Sequence, residues 1–88
     1  MCTMIVQKVK IDGSGKGKGG WFTLREANVS YDHPFNMPEE HALNIDFVNE
    51  EQGPGSRVAV ELSADAARSL AETIFTVLDR AKAGGHLE

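Results

Sequence analysis

Residues 31–47 read YDHPFNMPEEHALNIDF and hold two of the three histidines, four acidic residues and two of the three prolines of the chain. Imidazoles and carboxylates at this density suit two kinds of chemistry: holding a metal ion or moving a proton. Pro34 and Pro38 fix φ and lack an N–H donor, so the segment between the histidines cannot continue a strand. His33 and His41 therefore stand at the two mouths of one connection, where the ends of adjacent strands bring them near each other.

A metal site needs three or four donors converging at about 2.0–2.3 Å. His33, His41 and Cys2 supply imidazole and thiolate suited to Zn²⁺ or Fe²⁺, and Asp32, Glu39, Glu40 and Asp46 add carboxylates. The seven residues between the histidines match no zinc-binding signature. His41 and Asp46 are five apart, an odd separation that sends them to opposite faces of a regular strand. A metal set of His33, His41 and Cys2 escapes that objection, whereas one with both His41 and Asp46 needs a bulge. An acid–base reading would use Asp32 or Asp46 to orient a histidine, with Cys2 as nucleophile, but no spacing secures their mutual reach. For a small-molecule ligand, Trp21, Tyr31, Asp32, Asn44 and Asp46 offer stacking surface and hydrogen-bonding groups. Each residue also has a structural role open to it. Asp32 can cap the turn at His33-Pro34, His41 can donate to a rim carbonyl, Asn44 and Asp46 can form a solvated strand face, and Cys2 can be a small buried hydrophobe.

A third candidate, GSGKGKGG at residues 13–20, mixes glycine and lysine as phosphate loops do. No Ser or Thr follows either lysine, and the segment leads into an expected strand, so no helix N-terminus waits to receive a phosphate. A turn or mobile loop is expected there.

These residues must be positioned by few elements. Strands are expected over residues 3–11, 21–32, 41–49 and 57–62, each with apolar residues at period two. In the second, Phe22 and Leu24 have one parity and Ala27, Val29 and Tyr31 the other, so a bulge near Arg25 and Glu26 is expected to return them to one core. EEQGPGS is a turn, and Ser63 is a helix N-cap. From Ala64 to about Lys82 a stripe of Ala67, Leu70, Ile74, Val77, Leu78 and Ala81 repeats at helical spacing, and Gly84-Gly85 end it. The order β-β-β-β-α with short connections predicts an α+β fold: a four-stranded antiparallel meander with one C-terminal helix packed on one face. Leu70 and Ile74 are expected in the core. The opposite sheet face is polar with a few small apolar residues, and the chain is expected to be a homodimer.

Eighty-eight residues make one small domain, expected over 1–86, with Leu87-Glu88 read as the remnant of a trimmed tag. The apolar runs are far shorter than the roughly 20 residues of a membrane helix, and no secretory signal opens the chain. One cysteine cannot form an internal disulfide, so a cytoplasmic protein without a membrane partner is expected. Residues 1–26 carry a net +3 and residues 27–88 a net −7, giving −4 overall, which disfavours nucleic acid as a partner.

MCT at the start, GSGKG followed by GWF, the YDHP and EHALNIDF blocks, and GPGSRVAVELS before the helix carry a resemblance. With these blocks the chain resembles a family of small actinobacterial proteins of unknown function, over nearly its whole length. The resemblance implies a single domain in the bacterial cytoplasm and no particular activity. From the residues themselves, the expected function is binding of a small ligand or metal ion near residues 31–47. The alternative is a non-catalytic dimeric interaction module in which the same residues brace the sheet.

Overall fold

The computed structural model describes residues 5–88. Four strands, β1 (Ile5–Gly17), β2 (Gly20–Asp32), β3 (Ala42–Val48) and β4 (Arg57–Leu62), precede one helix, α1 (Ala64–Ala83). The strands form a single antiparallel sheet in the order β1-β2-β3-β4, so the α+β meander with a C-terminal helix is the fold.

Register follows from the alternation of apolar residues. Val29 pairs with Ile45, and Ile45 with Val60, so one apolar row crosses three strands. Tyr31, Leu43 and Leu62 make the next row, and Ala27, Phe47 and Val58 the one on the other side. The opposite face carries Lys8, Asn28, Asp46 and Ala59, with Ser30, Asn44 and Glu61 in the neighbouring row. A one-residue slip would put the whole apolar set in water, so the pattern specifies the pairing strongly.

The glycine segment departs from expectation. Residues 13–17 are strand, not a loop: Gly13 pairs with Leu24, Gly15 with Phe22 and Gly17 with Gly20, leaving Lys18 and Gly19 as the turn. The reason lies in what a side chain would meet. A Cβ on Gly15 would stand 3.1 Å from Leu24 Cδ2, and one on Gly17 would stand 3.2 Å from the Gly55 carbonyl oxygen and 3.3 Å from that of Arg57. Glycine here lets Leu24 lie across β1 and lets β1 approach the start of β4 closely. The spacing Gly13, Gly15, Gly17 is itself the period of a strand.

The register does shift where the parity of β2 changes. Lys10 pairs with Glu26 and Gly13 with Leu24, so Ile11 and Asp12 of β1 together face Arg25. The extra residue thus belongs to β1 and not to β2. Leu24 lines a shallow cavity with Phe47 and Val58, which puts it on the apolar face.

Ser63 caps α1, its side chain accepting from the Ala66 N–H at 3.1 Å, and Asp65 lies in the positive first turn. Gly85 ends it at φ +75° while the His86 N–H donates to the Ala81 carbonyl at 2.8 Å. The helix meets the sheet near its start, where Ala64, Ala67 and Arg68 share a cavity with Tyr31 and Leu43. Beyond Arg68, every helical residue except Ala81 is exposed. Leu70 and Ile74 are therefore not core residues of the single chain: they are 45% and 50% exposed. Only one residue, Ser63, separates β4 from α1, whereas a helix that turns back over its own sheet usually follows a connection of about two to six residues.

Candidate functional site

The connection between β2 and β3 folds over one end of the polar sheet face. Its anchor is Glu61 on β4, whose carboxylate accepts the Phe35 N–H at 2.6 Å and the Asn36 N–H at 2.9 Å. Pro34 just before these amides cannot pair in a ladder, which leaves the chain free to cross to β4. Asp32 accepts the His33 N–H through Oδ1 at 2.8 Å, capping the turn as its position before His-Pro predicts. His33 Nδ1 lies 2.8 Å from the Glu40 carbonyl oxygen; a carbonyl only accepts, so this nitrogen carries the proton. The connection is thus tied at its start, middle and end.

The histidine rings share one rim. Their centroids are 4.9 Å apart with planes inclined by 23°, and Tyr31 also stacks with His41 at 5.9 Å. Ring nitrogens donate to metals within the ring plane, so two nearly parallel stacked rings do not aim their lone pairs at a common point. Among the described residues no group of three or more His, Cys, Asp or Glu side chains is placed to hold a metal ion. Cys2, the third member of the expected metal set, lies outside the described residues.

The expected ligand-binding residues divide among three places. Asp32, Asn44 and Asp46 line one cavity of about 280 Å³ on the polar face, together with His33, Arg57 and Glu61. Tyr31 is on the apolar face beside Leu43 and the start of α1. Trp21 pairs with Lys16 in the distal part of the β1–β2 hairpin and is 70% exposed. Within the cavity, Arg57 donates to Asp46 Oδ1 through Nη2 at 2.7 Å and Nε at 3.0 Å. Opposite charges inside the cavity are therefore largely engaged with each other or with backbone amides.

The family model for DUF6295, a family of unknown function, matches residues 1–87. The chain belongs to this family. Comparison with curated proteins and with solved structures gives no match. Among the described residues no helix is long and apolar enough to cross a membrane.

Sequence reasoning missed Glu61 and Arg57. Both have the parity of the polar face, but which residues they meet depends on register: Glu61 is opposite Asn44, and Arg57 is two residues from Ala59, the partner of Asp46. The Glu61 clamp makes a prediction. Glu61→Ala should cost about 1–2 kcal/mol, since it removes two charge-assisted hydrogen bonds at a partly exposed site. Amide exchange should speed up at Phe35 and Asn36 and stay slow in the paired part of β3. Unchanged exchange at those two amides would show that the carboxylate does not hold the connection.

Proposed function

We propose that this protein is an interaction module that works as a homodimer, with residues 31–47 bracing the end of its sheet. The observation that carries this reading is the surface left open by one chain. A folded monomer of this mass exposes about 5,100 Å², whereas this chain exposes 6998 Å². The excess of about 1,900 Å² per chain is more than twice the roughly 800 Å² each partner contributes to a standard interface. The radius of gyration agrees: 14.8 Å against about 12 Å for a compact chain of this length. Among the described residues, the only apolar side chains that are buried are Ala27 and Ala42, so one chain seals no large apolar side chain in a core.

The mass in solution should be twice the 9.6 kDa of the chain. Because folding and pairing are then one equilibrium, the urea midpoint should rise with protein concentration. A monomer whose midpoint does not move with concentration would refute this reading.

The polar-face cavity favours a second reading, a small polar ligand held by Asp32, Asn44 and Asp46. It ranks behind the first because those groups already have partners on the sheet and its connection. Chemical shifts of the Asn44 and Asp46 amides, followed through a series of amino acids and polyamines, test it. Saturable shifts abolished by Asp46→Asn would move it ahead as the role of this face.

A further inference from the structure

Among the described residues, two apolar surfaces are largely open, and each has what the other needs. The first is the helix stripe, in which Leu70, Ile74, Val77 and Leu78 are about half exposed. The second is the apolar sheet face, where Ile5 and Val9 on β1 are 62% and 49% exposed and the central row of Val29, Ile45 and Val60 is only partly covered. The single residue Ser63 between β4 and α1 carries the helix off the sheet end and keeps it from reversing onto its own strands. Short hinges of this kind favour exchange between copies.

We propose that α1 of each chain lies across the apolar sheet face of a second copy, so that two exchanged helices complete two cores. This rests on the homodimer reading and goes beyond it by assigning the surfaces. Three considerations select this occupant. A helix–helix pair would hide the stripe and leave the sheet face in water, while a sheet–sheet pair would leave the stripe in water; only exchange covers both. The stripe, spaced as residues 67, 70, 74, 77 and 81, runs for just two heptads, short of the three or four that define a coiled coil. The flanks of α1 carry three acids, Asp65, Glu72 and Asp79, and three bases, Arg68, Arg80 and Lys82. Such a balance lacks the basic face with which amphipathic helices bind anionic lipid. A two-fold pairing of this kind is closed, since each copy gives and receives one helix.

Single-cysteine chains made in a Cys2→Ser background test the arrangement. Ile74 is at the middle of α1 and Ile45 at the middle of the sheet face. Chains carrying Ile74→Cys are mixed with chains carrying Ile45→Cys, refolded together and treated with a short bismaleimide, while sedimentation reports the mass. Exchange predicts a cross-linked species in the mixture and little in either chain alone. Efficient cross-linking of the Ile74→Cys chain alone, with none added by mixing, would mean the helices pair with each other and would overturn the proposal. A dimer that cross-links in no combination would overturn the exchange while the homodimer stands. A monomer would overturn both. Circular dichroism of each variant establishes that it is folded before the cross-linker is added.

Discussion

In the proposed homodimer Leu70→Ala should cost about 2–5 kcal/mol per chain, the loss expected of a leucine truncated in a packed core. In the single chain the same change should be nearly neutral. There Leu70 is 45% exposed on a helix surface, and alanine is the better helix former by a few tenths of a kcal/mol. The two outcomes differ several-fold in size, so one substitution separates an uncovered helix from a covered one. In the proposed dimer the loss occurs in both chains, and it should appear as dissociation together with unfolding. Urea denaturation at several protein concentrations is the measurement. Glu72→Ala, on the polar side of the helix, is the control, and its effect should stay within about 0.5 kcal/mol. Equal, small effects of both substitutions would mean that the stripe meets nothing.

Asn49→Ala should be the most damaging polar substitution, at about 2–4 kcal/mol. Asn49 is 3% exposed and serves three partners at the point where β3 ends. Its Nδ2 donates to the Thr23 carbonyl at 2.9 Å and to Gln52 Oε1 at 3.2 Å, and its Oδ1 accepts the Glu51 N–H at 3.1 Å. The β2–β3 ladder stops at the Glu26–Val48 pair, so this side chain takes over the pairing of a β2 carbonyl beyond the last ladder bond. Alanine would orphan that carbonyl and remove the cap of the 3-10 turn over Glu50–Gln52. Asn49→Asp keeps the cap acceptor and loses both bonds donated by Nδ2, to Thr23 and to Gln52, so its cost separates the donor side of Asn49 from the cap. Thermal unfolding of the two variants, read at one concentration, gives both numbers. If Asn49→Asp is as stable as the parent, the two bonds donated by Nδ2 contribute nothing.

The parts of the site legible in the sequence were those fixed by local chemistry. Asp32 before His33-Pro34 is a turn cap whatever surrounds it, and the prolines between the histidines force a connection that sets both rings on one rim. The Glu61 clamp was not legible, because 25 and 26 residues separate the carboxylate from the amides it holds. The split of Tyr31 and Trp21 from Asp32, Asn44 and Asp46 was likewise hidden in register. The glycine segment misled for another reason. Its entropy cost argues for a loop when each glycine is weighed alone, whereas its alternation marks a strand that makes room for Leu24 and for the backbone of β4.

By itself, the sequence determined which elements form and their order in the sheet, but not how far β1 runs. Period-two and period-3.6 alternation, the Ser63 cap and the glycines after residue 83 act over a few residues and need no distant partner. Tertiary structure alone decided that the helix stripe is left largely open within one chain. A stripe at helical spacing states that a face must be buried but carries no information about which sheet buries it, its own or a second copy's. That choice depends on where a one-residue hinge points a helix about 30 Å long, and here it points the stripe away from its own sheet.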